Sequence, residues 1–339
     1  MKQPAASAAP GNLTFAVLRL LADGEFHSGE VLAQQLGMSR ASVHNALQDV
    51  DTYGLTLHSV RGRGYRLVNP PQWLDAGLVA KHLGEQAGTF HLEVLDSASS
   101  SNTLLLQRAR QQNLPGGSVL AVEWQSGGRG RMGRTWHSGL GNALTFSLLW
   151  RFDCGLAALS GLSLAVGVAL IRALRTLGIA GAQLKWPNDV VSGQGKLGGI
   201  LVEAQGDMLG PSAVVIGIGL NLSLPPALAD NIDQPAASLA MLADAPPERN
   251  LLLAVLLREL AGMLHGFATG GFATLRDEWE ACHMLQDQPV RLSLPDGKYI
   301  NGIARGVTDD GALQVETSKG MQTFNAGEIS LRRGGEPCC

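Results

Sequence analysis

Apolar and polar positions change rhythm twice along this chain. Over residues 13–68 the pattern reads as three helices and a hairpin, with strands at 55–60 and 65–68 around Arg61-Gly62-Arg63-Gly64. Asn69-Pro70-Pro71 then punctuates the chain as a stiff linker. Over 73–285 short apolar runs alternate with helical ones. Strands are expected at 90–95, 118–123, 143–150, 182–185, 197–203 and 213–218, and helices at 101–112, 156–177 and 250–269. This alternation predicts an α/β domain. From 289 to 333 the runs shorten and turn signals crowd together at Pro295-Asp296-Gly297, Asp309-Asp310-Gly311 and Ser318-Lys319-Gly320, as in a small β-barrel. The expected domains are 1–70, 71–286 and 287–339.

Composition narrows the partners. The 339 residues are 45% hydrophobic and 16% charged, enough for real cores and too apolar for a disordered chain. A net charge of −3 argues against coating nucleic acid or anionic membrane through bulk charge, so any DNA contact must be local. The run 155–171 has 17 residues without a charge, but its glycines and serines suit a buried core helix better than a membrane span, and no second such run is expected. Residues 1–10 lack the apolar core of a signal peptide, which leaves a cytoplasmic protein as the expectation. Cys154, Cys282, Cys338 and Cys339 match no zinc spacing and read as reduced thiols.

In the first segment the packing positions of a helix-turn-helix fall in order. Ala33 permits close approach of two helices, Gly37 permits the turn, and Val43 locks the second helix on the first. Ser39 is a good N-cap for a recognition helix that presents Arg40, Ser42, His44 and Asn45 to the major groove. The hairpin supplies a wing, with Arg61 and Arg63 at its tip for phosphate or minor groove. Against DNA stand only six basic residues beside five acidic ones over 1–70, and Asp49 and Asp51, which this reading places on the recognition helix. A module used for protein contact therefore stays open, and useful DNA affinity calls for two copies on a dimer.

The densest chemistry lies at Gly128-Arg129-Gly130-Arg131-Met132-Gly133-Arg134-Thr135-Trp136. Its literal G-x-G-x-x-G would suit a dinucleotide, but Trp136-His137-Ser138-Gly139-Leu140-Gly141 leaves no room for the crossover helix that a Rossmann unit needs before the next strand. What remains is a flexible loop with three arginines, fitted to phosphate and carboxylate oxygens of a small polyanion, although a nucleic-acid loop would look similar. Lys185-Trp186-Pro187-Asn188-Asp189 follows at a strand end, where Lys185 could face an anion and Asp189 could hold magnesium, or the five residues could be a plain capped turn. Lys196-Leu197-Gly198-Gly199-Ile200-Leu201-Val202-Glu203 and Gly217-Ile218-Gly219-Leu220-Asn221 are each weak alone.

In this order, the four segments resemble the biotin–protein ligases, and with the helix-turn-helix the chain is similar to the bifunctional members that also repress biotin-synthesis genes. The resemblance implies a winged helix, a central class II synthetase-like ligase domain with a mixed sheet, and an SH3-like β-barrel. It implies ATP and biotin as substrates with Mg2+, a biotin carboxyl carrier protein or similar acceptor, operator DNA, and a homodimer when the adenylate is bound. Carried over residue by residue, Ser100, Ser101 and Asn102 border the biotin pocket and Gln125 meets the ureido ring, with Gly128, Arg129 and Gly130 beside them. Arg131 lies over biotin and adenylate, and Lys185 faces the biotin carboxylate; with Asp189 these two make the expected catalytic set. Arg129, Arg131, Arg134, Trp136, Asn188, Lys196 and Asn221 make the expected ATP and adenylate set. The chain departs from the family at Ser101, where threonine is usual, at Met132, where some relatives carry arginine, and over 223–236, which has no aromatic residue. The rivals are a lipoate–protein ligase and a ligand-sensing repressor whose enzyme domain is inert.

Overall fold

The computed structural model describes residues 10–229, 232, 234–243, 245, 247–294, 297–326 and 330–333. Pro295 and Asp296 of the turn expected there, and Cys338 and Cys339, lie outside the described residues.

Helix α1 (Asn12–Leu20) leads into two helices that begin on serine caps. Ser28 accepts from the Val31 N–H at 3.2 Å to open α2 (Gly29–Leu36), and Ser39 accepts from the Ser42 N–H at 3.0 Å to open α3 (Arg40–Ala46). Gly37 ends α2 at φ 63°, a left-handed conformation that glycine adopts without strain, and Ala33 and Val43 are buried where the two helices meet. A hairpin follows, β1 (Leu57–Val60) with β2 (Gly64–Leu67), whose register pairs Val60 with Gly64 and leaves Arg61-Gly62-Arg63 at the tip. One expectation is corrected here. Leu47 and Gln48 bond back three residues rather than four, so α3 ends at Ala46 and Asp49 and Asp51 fall in the next turn, off the recognition helix.

The central domain runs α4 (Ala76–Leu83), β3 (His91–Ala98), α5 (Ser101–Gln111), β4 (Ser118–Gln125), β5 (Ala143–Phe152), α6 (Leu162–Thr176), β6 (Gln183–Lys185), β7 (Asp189–Ser192), β8 (Gly195–Gly206), β9 (Ser212–Asn221), α7 (Pro226–Ala229), α8 (Arg249–Gly270) and α9 (Arg276–Cys282). Its seven strands make one mixed sheet in the order β3-β4-β5-β9-β8-β7-β6. Only β3 and β4 pair in parallel, joined by α5 as crossover. β5 is buried on both faces, which is why it reads in sequence as an unbroken apolar run. α6 and α8 cover one face, while Leu105 of α5 packs on Leu120, Val122, Leu149 and Val215 on the other. The stretch Leu156–Thr176 and helix α8 are each long and apolar enough to cross a membrane, so a second candidate exists even though Arg258 and Glu259 interrupt α8, and more than half of each apolar window is buried inside the fold.

The last part is a five-stranded antiparallel sheet, ordered β13-β12-β11-β10-β14, from β10 (Pro289–Ser293), β11 (Tyr299–Val307), β12 (Leu313–Thr317), β13 (Gly320–Phe324) and β14 (Ser330–Arg333). Its core runs into the central one without a gap through Val290, Leu313 and Leu331. The buried Trp186 indole donates to the Gly311 carbonyl at 3.1 Å across that joint.

The winged helix keeps a core of its own, distinct from the central one, but two residues of the central domain enter it. Trp124 and Leu140 belong to the cluster built on Phe15, Leu18 and Leu32, and the Tyr53 and Trp124 rings meet edge to face at 5.9 Å. Asn142 donates to the Gly54 carbonyl at 2.9 Å. The proline linker is also tied down: the buried pair Arg249–Glu123, 2.7 Å apart, receives the Gln72 carbonyl and the Leu74 N–H.

Candidate active site

A cavity of about 430 Å³ opens where the central sheet meets the arginine loop and the C-terminal sheet. One wall is buried and polar. Ser100 caps α5 by accepting from the Thr103 N–H at 3.4 Å, which fixes the first turn of that helix against the sheet. The Ser101 N–H donates to Gln125 Oε1 at 2.7 Å, which fixes the orientation of the Gln125 amide and leaves its Nε2 donors for the cavity it lines. Behind them, Ser147 Oγ lies 2.8 Å from both Ser101 Oγ and Asn102 Oδ1. Asn102 Nδ2 donates to Glu203 Oε2 at 2.8 Å.

Two glycines of β9 explain why these side chains lie so close to the sheet. Gly217 and Gly219 are two residues apart and so share a face. A Cβ on Gly217 would sit 2.4 Å from Asn102 Oδ1, and one on Gly219 would sit 2.5 Å from the Trp136 ring. The Gly217-Ile218-Gly219 motif is therefore a seat for Asn102 and Trp136. Trp136 in turn closes the arginine loop, since its N–H donates to the Gly128 carbonyl at 2.8 Å.

The other wall is cationic and more open. Arg129 spans Glu203 with both terminal nitrogens, at 2.9 and 3.3 Å, and reaches Thr103 Oγ1 at 3.0 Å. Arg131 is half-buried, donating to Asn188 Oδ1 at 3.4 Å and to the carbonyl of Ala326, just beyond the end of β13. Burial lowers its guanidinium below the usual arginine range; Asp189 works against that shift and Arg134 adds to it. The β6–β7 hairpin pairs Lys185 with Asp189 in register, and the Lys196 ammonium sits 2.6 Å from Asp189 Oδ1. Lys185, Arg134 and Lys196 all line the cavity. Among the described residues no group of three or more His, Cys, Asp or Glu side chains is placed to hold a metal. A lone carboxylate such as Asp189 fits a magnesium ion that enters on the phosphates of its nucleotide, not one caged by protein.

Sequence reasoning named most of this lining but not all of it. Ser100, Ser101, Asn102, Gln125, Arg129, Gly130, Arg131, Arg134, Trp136, Lys185, Asn188, Asp189 and Lys196 are gathered around the one cavity. Asn221 is not among its lining residues. It is buried, with Nδ2 donated to the carbonyls of Ala237 at 3.0 Å and Lys196 at 3.3 Å, which leaves no amide donor for a base. Gly128 is likewise a packing position beneath Trp136. Glu203 and Ser147, which stand behind the lining and bond to Asn102 and Ser101, were not named as site residues, although Glu203 ends a recognisable motif. Leu331 and Arg332 of β14 also line the cavity, a contact that no local pattern announces.

On the winged helix, Ser39 and Ser42 are spent on the cap and lie 2.8 Å apart. Arg40, His44 and Asn45 are exposed on α3, with Arg40 3.3 Å from Glu30 and His44 3.1 Å from the Tyr65 hydroxyl. At the wing, Arg61 is exposed and the Arg63 guanidinium rests 4.1 Å over the Phe26 ring.

Comparison with known proteins joins the three parts. The profile of the biotin/lipoate A/B protein ligase family matches residues 94–221, that of the biotin protein ligase C-terminal domain matches 287–332, and an HTH domain profile matches 13–66. The bifunctional ligase/repressor BirA of Escherichia coli is 39% identical over 316 residues, covering 93% of this chain and 96% of that protein. Its Salmonella typhimurium counterpart is 38% identical with the same coverage. Among solved structures, the biotin protein ligase of Aquifex aeolicus in complex with biotin and ATP aligns with a TM-score of 0.60 at 27% identity, over 72% of this chain and 99% of that one. Matched over nearly their full length, these relatives show that the chain belongs to the biotin–protein ligase family, in its bifunctional ligase/repressor group.

Proposed function

We propose that the chain activates biotin with ATP and transfers it to a lysine of an acceptor protein of the biotin carboxyl carrier type, and that its winged helix represses biotin-synthesis genes when the adenylate is bound. The observation that carries this reading is the cavity itself, with a buried donor–acceptor wall facing a wall of arginines and lysines. In the first step a biotin carboxylate oxygen attacks the α-phosphorus of ATP, and pyrophosphate leaves. Two anions must meet, and Arg129, Arg131, Arg134, Lys185 and Lys196 offset their repulsion in a site shielded from bulk water. Gln125 and Ser101 hold the ureido end, so the carboxylate is presented toward Lys185. In the second step the uncharged acceptor amine attacks the carbonyl of biotinyl-5′-AMP; the C–O bond to phosphate breaks, AMP leaves, and the amine loses a proton. Closure of the arginine loop, anchored at Trp136, protects the mixed anhydride from hydrolysis.

Magnesium carried on the nucleotide would be held at Asp189 and would neutralise phosphate charge. Lys196 keeps that carboxylate paired in its absence. Boundaries at 1–70, 71–286 and 287–339 and a cytoplasmic setting belong to the same reading. So does a homodimer on DNA, because the wing and α3 offer too few cations, Arg40, Arg61 and Arg63 chief among them, for one copy to hold a site. The test is labelling of a purified biotin-acceptor domain with biotin and MgATP, with lipoate as control. Transfer of biotin alone supports the reading; transfer of lipoate alone, or of neither by folded protein, removes it. Gel shifts of apo and adenylate-loaded protein test the repressor half, and equal affinity in both states would make DNA binding constitutive.

A further inference from the structure

The side chains behind the polar wall form one directed chain of hydrogen bonds, and its direction is set at a single end. Glu203 offers only acceptor oxygens to Asn102, so the Asn102 amide must turn its Nδ2 toward Glu203, 2.8 Å away, and also toward the Leu201 carbonyl at 3.4 Å. Asn102 Oδ1 then faces Ser147 as an acceptor at 2.8 Å. Ser147 has one hydroxyl hydrogen and spends it on that oxygen, so its contact with Ser101 Oγ at 2.8 Å must be filled by the hydrogen of Ser101. Ser101 is thereby left with lone pairs alone for the cavity it lines, beside the Nε2 donors of Gln125. The arrangement is held tightly. Ser101, Asn102 and Ser147 are all buried, and Asn102 is seated so close to Gly217 of the sheet that even a Cβ would not fit between them.

We propose that Glu203 is a specificity-determining residue that never touches the ligand: through Asn102 and Ser147 it fixes Ser101 as a hydrogen-bond acceptor next to the Gln125 donor, a polarity that selects a cyclic urea. This rests on the biotin reading above. A ureido ring carries one carbonyl acceptor flanked by N–H donors, the complement of a Gln125 donor beside a Ser101 acceptor. A dithiolane ring has neither, and leaves both wall groups unpaired when it enters. Sites that hydrogen-bond a buried polar group reject analogues lacking it far more strongly than apolar pockets reject a missing methylene. The same carboxylate also receives Arg129, so the arginine loop is tied to the wall that reads the ring.

Glu203→Gln tests the idea, because an amide can donate as well as accept. It removes the short 2.8 Å demand for Nδ2 and leaves only the longer 3.4 Å contact to the Leu201 carbonyl to hold the amide, so Asn102 can turn over, which reverses the chain and leaves Ser101 donating into the cavity. Titration calorimetry of the full-length protein should show biotin affinity lowered about tenfold or more, with lipoate binding unchanged or improved. Ser147→Ala breaks the same chain at its middle, at a site far smaller and away from Arg129, and should lower biotin affinity in the same way. Glu203 and Ser147 do not contact each other, yet the double variant should lose little more than either single one. Parallel losses for biotin and lipoate, independent effects that multiply in the double variant, or biotin affinity within about twofold of the parent in Glu203→Gln would each overturn the proposal. Failure of the parent protein to bind biotin would instead remove the underlying reading.

Discussion

The two walls of the cavity are built on opposite plans. The polar wall stands on secondary structure, at the start of α5 and on β4, β5 and β8, and most of its side chains are buried and bonded to one another before any ligand arrives. The cationic wall stands on the arginine loop and on strand ends around the β6–β7–β8 turns, and its charges are partly solvated, with partners that include Glu203, Asp189, Thr103, Asn188 and the Ala326 carbonyl. Orientation of an uncharged ring needs fixed donors and acceptors. Neutralising a charge that grows and then leaves with pyrophosphate needs cations that can follow it. The division of labour predicts that damage to the cationic wall appears in rates, and damage to the polar wall in ligand choice.

Lys185→Ala should have the largest effect. Removing the cation that the proposed mechanism sets against the biotin carboxylate is expected to cut the single-turnover rate of adenylate formation by about a thousandfold, with biotin affinity changed far less. A loss confined to biotin affinity would place Lys185 on the recognising side instead.

Acid should strain the base of the cationic wall. His283 is buried against Trp279, with the rings 4.5 Å apart, and its main chain pairs with Leu184 beside Lys185. Burial pushes its imidazole down from 6.5 to about 4; nearby Gln286 works against that shift, and the charge of Lys185 adds to it. Neither ring nitrogen completes a hydrogen bond of good geometry. The folded chain thus refuses a proton that the unfolded chain accepts, so stability is full above pH 6.5 and falls as the pH drops toward 4, by roughly 3 kcal/mol at most. Urea titrations across that window should show the fall, and His283→Asn should flatten it. An unchanged slope in that variant would assign the acid sensitivity elsewhere.

Gln125→Ala should cost about thirtyfold in biotin affinity while leaving the adenylation rate of saturated enzyme within a few-fold. An equal loss in the rate would erase the distinction between the walls. Arg131→Gly is expected to have the smallest effect on the fold and a measurable one on retention. It removes the tether to Asn188 and Ala326, so adenylate should leave about tenfold faster, seen as its shortened lifetime on the enzyme and as labelling of bystander lysines.

Much of this was legible in the chain, for reasons that differ by region. Ser28, Ser39 and Gly37 carry their structural roles locally, so the helix-turn-helix could be read from caps and turns alone. β5 and α6 declare themselves as long apolar runs because both are buried on all sides. β7 was missed because its four residues begin inside a turn motif, and α4 and α9 because seven or eight residues give too short a period to recognise. The arginine loop, Lys185 and Lys196 were found as charges in unusual company. Ser147 was not, since a serine within an apolar strand gives no hint of which neighbour it will meet. Asn221 was assigned to adenine on its place in a motif, and only the structure shows its amide donated to two carbonyls. The joining of the winged helix to the catalytic core depends on Trp124 and Leu140, two apolar residues that no sequence pattern separates from ordinary core.

Native mass spectrometry of the purified chain after incubation with biotin and MgATP bears most directly on the central claim, that the two walls together make and keep an adenylate. The adduct should appear at the mass of biotinyl-5′-AMP, one per chain, and should persist after excess ligand is removed. Folded protein that binds biotin and ATP side by side, with no adenylate formed, would contradict it.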